Sequence, residues 1–297
     1  MIRFGPAGWE YDDWAGRVYP DPAPRGFDRL SYLARWFATV EVNATFYRPF
    51  PAGVAARGAE RAAVRPGFRF AVKLWRRFTH ERGEPWTADD VTQARAVPDR
   101  LAEARMLGAA LLQFPWSFKR TDANEEWLRA LFGAFGGLPL VVEVRHASWD
   151  APEVYAELAG EGVGFVNVDQ PLFRRSLRPS AVVTAPVAYV RVHGRNWRDW
   201  FRRSAPRDRR YDYLYTSEEL VPWAERVQAL AGSARAPDVY VVTNNHFRGQ
   251  APANAKMLEA MVEGRRVDVP PELLRTYPGA LAPFAEGAHG GAPPPAS

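Results

Sequence analysis

Eight short apolar runs, most of them rich in β-branched residues, recur along the chain, and each has the length and composition of a buried strand. The runs are IRFGPAG (2–8), TVEVN (39–43), FRFAVKL (68–74), AALLQF (109–114), PLVVEV (139–144), VGFVNVD (163–169), VAYVRVH (187–193) and DVYVVTN (238–244). Amphipathic stretches with helical spacing separate most of them. Near-continuous apolar strands that alternate with helices indicate a parallel sheet covered on both faces. Eight such units predict a single (β/α)₈ TIM-like barrel, with an open doubly wound sheet as the alternative.

Two connections and the C-terminus depart from this pattern. The segment between the sixth and seventh runs predicts a short helix at most, and a long polar insertion, 194–215, follows the seventh run. Long loops in compact domains are usually functional or disordered. We assign residues 1–268 to the barrel domain and residues 269–297 to a C-terminal extension. The end of that extension is rich in Gly, Pro and Ala, so we expect it to be disordered.

Composition excludes several classes of site. The 297 residues include no cysteine, which rules out disulfides, thiolate nucleophiles and cysteine-based metal sites. The chain contains none of the glycine-rich nucleotide-binding, zinc-protease or serine-hydrolase motifs. Its N-terminus does not have the pattern of a signal peptide, and no apolar run is long enough for a membrane span, so we expect a cytoplasmic protein. The formal net charge is +5, and arginine supplies almost all of the positive charges, because only three lysines occur.

Polar residues concentrate where the predicted strands end, which is where parallel barrels carry their active sites. Three strands hold polar residues at positions i and i+2, so both members of each pair lie on one side of the strand. The pairs are Glu41/Asn43, Glu143/Arg145 and Arg191/His193. Valines occupy the alternate positions, which then face the helices. Polar side chains inside a barrel are costly unless they bond to each other or to a ligand, so this alternation predicts a polar, occupied barrel mouth.

These positions supply the candidate site residues. We predict Glu41 or Glu143 as the general base or acid and His193 as its proton partner. The residues expected to bind substrate are Trp9, Asn43, Lys73, His80, Gln113, Arg145, His146, Trp149, Asp169, Arg191, Asn244 and Asn245. Structural roles remain open alternatives: Glu143 with Arg145, and Glu41 with Arg191, are also typical of structural ion pairs. His146 is also typical of a hydrogen-bonded cap.

Charge around the mouth favours an anionic ligand. The insertion 194–215 carries seven Arg and three Asp, interleaved with aromatic residues, a combination suited to phosphate contacts and stacking. We therefore expect an enzyme that acts on a phosphate-bearing ligand, either a nucleic acid or a sugar phosphate. A non-catalytic nucleic-acid or anion-binding protein is one alternative, and a metal-dependent hydrolase or isomerase is another. We assign no residue to a metal site, because Lys73, Arg145 and Arg191 would crowd a cation. Whether a metal is bound, which cofactor is used and the oligomeric state stay open.

Several segments resemble successive motifs of one known family. They are GPAGWEYDDWAGRVYP, TVEVNATFYRPF, FRFAVKLWRRFTH, LLQFPWSF, VVEVRHASW, YVRVHG and YVVTNNHFRGQAPANA. Together they are similar to the DUF72 (YecE-like) family and cover residue 3 to about residue 263. The resemblance implies a TIM-barrel-like fold but no settled activity. Barrels of this kind are compared with the endonuclease IV and xylose isomerase-like group, whose multi-histidine metal set is not evident here.

Overall fold

Eight parallel strands form one sheet in a computed structural model of the chain, which describes residues 1–198 and 207–286, with the backbone alone at residues 207 and 208. The strands are β1 (Ile2–Pro6), β2 (Thr39–Val42), β3 (Arg69–Lys73), β4 (Leu107–Gln113), β5 (Leu140–Glu143), β6 (Gly164–Asp169), β7 (Val187–Val192) and β8 (Asp238–Thr243). Every strand lies beside its neighbours in sequence, and β1 also pairs with β8 in parallel.

The sheet curves into a nearly closed barrel. Strands β1 and β2 meet through a parallel bridge between Ala7 and Glu41, and the amide nitrogen of Gly8 lies 2.8 Å from the Glu41 carbonyl oxygen. The single (β/α)₈ TIM-like barrel predicted from the alternation of strands and helices is therefore confirmed. All eight predicted strands are present, with ends that differ by a few residues at most.

Helices surround the barrel between most strands. In the described residues they are α1 (Arg29–Trp36), α2 (Ala44–Tyr47), α3 (Ala52–Ala62), α4 (Ala88–Glu103), α5 (Asp122–Ala134), α6 (Pro152–Gly160), α7 (Ser217–Ala231), α8 (Gln250–Glu263), α9 (Pro271–Thr276) and α10 (Pro278–Leu281). Short 3₁₀ helices follow several strands: Asp12–Trp14, Arg76–Phe78, Ala147–Trp149, Arg207–Tyr211 and Phe247–Gly249. The longer helices start at reciprocal capping boxes, Thr87 with Asp90 for α4 and Thr216 with Glu219 for α7.

The connection between β6 and β7, residues 170–186, contains no helix. A buried asparagine of β6 instead forms hydrogen bonds with polar groups of this connection. The Asn167 side-chain oxygen accepts from the Val182 amide and the Ser180 hydroxyl, each at 2.8 Å, and its nitrogen donates to the Val182 carbonyl at 3.0 Å. The connection is thereby held against the barrel without regular structure, since its polar groups have side-chain partners.

The alternation of side chains along the strands separates a polar interior from an apolar outer layer. Val190 and Val192 pack with residues of α7 and α8, as the phase of the sequence predicts. At the opposite end of the interior, the ring of Tyr240 fills the space beside Gly108, where a Cβ atom would lie 2.5 Å from that ring. The base of the barrel is thus filled by side chains, and the polar residues lie above it.

The C-terminal extension packs against the barrel as far as the structure describes it. Helices α9 and α10 lead to a bridge between Val267 and Ala285. The segment predicted to be disordered lies almost wholly in residues 287–297, outside the described residues, as do residues 199–206 of the insertion. Across the residues that the structure describes, no helix is both long and apolar enough to cross a membrane.

Candidate functional site

A buried ion-pair network spans the barrel interior near the carboxyl ends of the strands. Arg191 of β7 lies between two carboxylates, with Nη2 2.5 Å from Glu41 Oε1 of β2 and Nη1 2.5 Å from Glu143 Oε2 of β5. All three side chains are almost completely buried. Both carboxylates therefore face inward, as the alternation predicts, and each is bonded to the same guanidinium group.

Tyr189 completes the hydrogen bonding of Glu41. Its hydroxyl donates to Glu41 Oε2 at 2.9 Å, and burial followed by the Glu41 charge raises its pKa well above the usual value. Sequence reasoning did not include this tyrosine. The available signal was the same alternation, because Tyr189 lies two residues before Arg191 and shares its side of the strand.

A second set of contacts extends from Glu143. Arg145 Nη2 lies 2.7 Å from Glu143 Oε1, and His193 Nε2 lies 3.1 Å from the same oxygen. Burial alone would raise the pKa of Glu143, but the Arg191 and Arg145 guanidinium groups outweigh it and hold that pKa well below its usual value. Glu143 is therefore ionised in the folded protein at neutral pH.

His193 is neutral under the same conditions. Burial and the nearby Arg145 charge lower its pKa to about 3. The Asn244 side-chain nitrogen lies 3.0 Å from His193 Nδ1, and His193 Nε2 lies 3.1 Å from Glu143 Oε1 and 3.2 Å from Arg145 Nη2. The ring is thereby fixed between an amide on one side and a carboxylate and a guanidinium group on the other.

A pocket of about 400 Å³ opens above this network at the barrel mouth. Arg191, Lys73, Asn43 and Asn244 supply polar groups, and so does Glu10 at the rim, an exposed carboxylate that bonds to Arg29 at 3.2 Å. Aromatic side chains form most of the remaining wall, namely Trp9, Tyr11, Phe46, Tyr47, Tyr211 and His246. Such a mixture of ring faces with a few convergent polar groups is typical of small-molecule sites, and the volume falls within their usual range.

Three of the aromatic residues are in contact. The rings of Tyr11 and His246 are stacked, with centroids 4.4 Å apart, and the Tyr211 ring meets His246 at a tilt of 39° with centroids 4.8 Å apart. Because Tyr211 belongs to the insertion 194–215, that segment contributes one wall of the pocket. We did not include Tyr11, Tyr211 or His246 among the predicted site residues, although Tyr11 and His246 follow strand ends and Tyr211 is one of the aromatic residues of the insertion.

Lys73 is the pocket residue with the least compensated charge. No hydrogen bond or ion pair joins its Nζ to any residue of the described ranges, and its contact is with the Phe46 ring, whose centroid lies 3.8 Å away. Burial and then the neighbouring Arg191 charge lower its pKa to about 7, against the opposing effect of Glu41 and Glu143. Lys73 is therefore partly neutral at physiological pH.

The structure brings together nine of the predicted site residues in two layers. Trp9, Asn43, Lys73, Arg191 and Asn244 line the pocket, and Glu41, Glu143, Arg145 and His193 lie directly beneath or beside it. His80 is exposed nearby and meets the Phe46 ring edge-on at 4.9 Å. The catalytic and binding roles given to these residues stay predictions.

The remaining predicted residues make contacts typical of structural roles. The Gln113 side-chain nitrogen donates to the Phe114 carbonyl at 2.6 Å, and the Trp149 indole donates to the Phe118 carbonyl at 2.7 Å. His146 accepts a hydrogen bond from the Ser148 amide, the capping geometry that the sequence left open.

Asp169 and Asn245 hold the two ends of the insertion. Asp169 Oδ2 lies 2.9 Å from Arg195 Nε, and the Asn245 side-chain nitrogen donates to the Tyr213 carbonyl at 2.7 Å. Neither residue lines the pocket. Their contacts instead position the backbone that carries Tyr211.

The described residues contain no group of three or more His, Asp or Glu side chains arranged to hold a metal ion. Within the network the carboxylate oxygens of Glu41 and Glu143 are bonded to cationic or hydroxyl groups. The prediction of no metal ligands is not tested by this arrangement, but the residues present offer an anion more partners than a cation.

Comparison with known proteins identifies relatives of the chain. A family model described as a protein of unknown function, DUF72, matches residues 3–277. A DUF72 family protein from Thermotoga maritima is 34% identical, with a TM-score of 0.76 over 89% of this chain and 99% of that one. A DUF72 family protein from Enterococcus faecalis has a TM-score of 0.74 over 89% of this chain and 96% of that one, but is 24% identical and so shows the fold alone. A search of curated proteins found no match.

Proposed function

We propose that this chain, which belongs to the DUF72 family of proteins of unknown function, is an enzyme that acts on a small phosphate-bearing ligand in the mouth pocket. The observation that carries the proposal is Lys73, a cation without a carboxylate partner among the described residues, at the floor of an aromatic pocket. A sugar phosphate is favoured over a long nucleic acid, because a pocket of about 400 Å³ accommodates a ligand of that size. A cytoplasmic location is part of the proposal.

The charge balance beneath the pocket supports an anionic ligand. Within the network, Arg191, Arg145 and protonated Lys73 face two carboxylates, Glu41 and Glu143. One positive charge therefore remains there, because Glu10, the one carboxylate among the described residues that lines the pocket, is already bonded to Arg29. An anion bound there would raise the Lys73 pKa, since an opposite charge favours the protonated form.

The geometry favours a particular division of roles. Lys73 has a pKa near neutrality, which suits a group that transfers a proton at physiological pH. Glu143 and His193 have pKa values far from neutrality and are bonded to each other and to arginines. We infer that Glu41, Glu143 and His193, predicted as catalytic, position Arg191 and hold the charge balance, and that Lys73 carries proton transfer.

The test is ligand binding by calorimetry with inorganic phosphate, a panel of sugar phosphates and short oligonucleotides. The Lys73→Met variant should bind phosphate compounds about 10–100-fold more weakly, because a hydrogen bond to a charged group is worth roughly 1.5–3 kcal/mol. The matched control is Lys119→Met, since Lys119 is exposed and does not line the pocket. Equal phosphate affinity in both variants, or no turnover of any bound sugar phosphate, would contradict the proposal.

A non-catalytic nucleic-acid or anion-binding role is the second candidate. Three exposed arginines, Arg174, Arg175 and Arg178, lie in the connection between β6 and β7 and favour it. Such a role predicts a steep loss of oligonucleotide affinity with salt, because binding releases counterions. It also predicts binding that is indifferent to Lys73→Met. The same titration therefore separates the two functions.

A further inference from the structure

The three lysines of the chain lie in three different settings. Lys119 is exposed on the surface. Lys256 is buried, and its Nζ donates to Glu259 at 2.8 Å and to the Trp36 carbonyl at 2.6 Å. Lys73 is half-buried in the mouth pocket and makes neither kind of bond to a described residue. The Lys73 amine thus lies in the pocket without a hydrogen bond or an ion pair to any described residue.

The surroundings of Lys73 favour the neutral amine. Arg191, Arg145 and His80 face it, together with Glu41 and Glu143. Both carboxylates are already bonded to Arg191, so they compensate the lysine charge only in part. With a pKa of about 7, Lys73 carries roughly a thousandfold larger fraction of neutral amine at pH 7 than a lysine in a model peptide. A lysine desolvated beside another cation is activated as a nucleophile in this way.

We propose that Lys73 is a nucleophile that condenses with the carbonyl group of an aldehyde or ketone ligand bound in the mouth pocket, forming an imine. This inference rests on the proposed function for the place of the ligand and adds a carbonyl group to its chemistry. When such a ligand is bound, its phosphate lies towards Arg191, which also lines the pocket, and its carbonyl carbon faces Lys73. The ligand class is then a phosphorylated aldose or ketose in its open form.

The condensation balances with water as the other product. The nitrogen lone pair of Lys73 attacks the carbonyl carbon while the carbon–oxygen π pair moves to oxygen, and one nitrogen-bound proton transfers to that oxygen. The resulting hydroxyl takes a proton from solvent at the pocket opening and leaves as water, while the nitrogen lone pair forms the double bond. The product is an iminium ion.

The ligand and the pocket together suit that product. The iminium carries the same single positive charge as an ammonium, which Glu41 and Glu143 compensate only in part, and the phosphate group of the ligand supplies the remaining negative charge. The face of Phe46, 3.8 Å from Nζ, stabilises a cation at this point. Asn43 and Asn244 line the same pocket and supply amide groups for the hydroxyls of a sugar.

Reductive trapping on the full chain tests the inference. The protein is incubated at pH 7 with sodium cyanoborohydride and, separately, formaldehyde, dihydroxyacetone or dihydroxyacetone phosphate, and peptide mass spectrometry then measures adducts at each lysine. Formaldehyde is too small to need specific binding in the pocket, so its rate of reaction measures the reactivity of each amine alone. We expect at least tenfold faster modification of Lys73 than of Lys119 with formaldehyde, and more adduct with dihydroxyacetone phosphate than with dihydroxyacetone.

Lys119 and Lys256 are internal references, so the measurement does not depend on a variant that folds. Lys73→Arg keeps the charge, should abolish the adduct at position 73 and should leave the other two lysines unchanged. The imine is overturned if Lys73 reacts no faster than Lys119 with formaldehyde or with both trioses. Phosphate binding that persists in that case leaves the proposed function standing. Equal adduct from the two trioses supports the imine and counts against the phosphate.

Discussion

Glu143→Gln removes one negative charge from the interior of the barrel with almost no change in side-chain shape. The wild-type carboxylate is fully buried and is bonded to Arg191 at 2.5 Å and to Arg145 at 2.7 Å. An amide cannot neutralise either guanidinium, so the variant leaves Arg191, Arg145 and protonated Lys73 opposite a single carboxylate, Glu41. The substitution therefore tests whether the network holds the fold together or only lines the site.

The expected cost follows from the burial of the groups. Removing one partner of a buried ion pair costs about 3–5 kcal/mol, because the other partner stays buried and uncompensated. At roughly 2 °C per kcal/mol for a chain of this size, the melting temperature should fall by about 6–10 °C at pH 7. Differential scanning calorimetry or thermal unfolding followed by circular dichroism measures the fall.

A surface pair provides the matched control. Glu103 bonds to Arg100 with side chains that are 64% and 46% exposed, so Glu103→Gln removes the same charge from a solvated position. Exposed pairs contribute at most about 1 kcal/mol, so this variant should melt within about 2 °C of the wild type.

The dependence on pH separates a loss of charge from a loss of packing. The pKa of Glu143 is lowered in the folded protein, so its contribution to stability is present above the unfolded-state pKa of about 4.3 and is lost as the pH falls through the folded-state pKa. The wild type should therefore lose stability more steeply than Glu143→Gln below about pH 4. A fall of less than 2 °C at pH 7, or parallel pH profiles, would refute the reasoning.

Three further substitutions probe the rest of the mouth. Lys73→Met should raise the free energy of unfolding by about 1–3 kcal/mol at pH 7, since it removes a cation whose pKa is lowered on folding. Urea unfolding should show this gain shrinking as the pH rises towards 10, and Lys119→Met should show neither the gain nor its dependence on pH. Tyr189→Phe should cost about 1.5–3 kcal/mol by removing a hydrogen bond to a buried carboxylate, whereas Tyr240→Phe should be near neutral in the same thermal melts. Gly194→Ala should cost more than about 1 kcal/mol, because φ is +91° there and a Cβ atom would lie 3.0 Å from a tyrosine side chain of the insertion; an unchanged melting temperature would contradict this.

The sequence predicted the inward-facing polar pairs because a strand has only two sides. Once valines are placed against the helices, Glu41 and Arg191 have to face the interior. The same rule places Tyr189 on the interior side of its strand, but a tyrosine within an apolar run does not by itself indicate a hydrogen bond to a carboxylate. Strand alternation thus predicts which side chains share a space, and it does not predict how they divide their bonds.

The pocket itself depends on information that local patterns do not contain. His246 and Tyr11 are 235 positions apart in the chain, and their stacking follows from the pairing of β1 with β8. Gln113 and Trp149 end or follow strands as pocket residues do, yet nearby carbonyl groups take up their donors. A position at a strand end therefore brings a residue to the mouth of the barrel. Whether its side chain faces the pocket depends on whether a nearby backbone carbonyl group accepts its hydrogen bond instead.

The ion-pair network also bears on how the barrel assembles. Its carboxylates come from β2 and β5 and its central arginine from β7, so Glu41 and Arg191 are 150 positions apart in the chain. A fragment that ends before β7 would have to bury Glu41 and Glu143 without the group that bonds both. The buried carboxylates of β2 and β5 therefore lack their shared arginine until β7 has docked. We therefore expect unfolding to be cooperative across the whole barrel, and half-barrels to acquire native structure only when mixed.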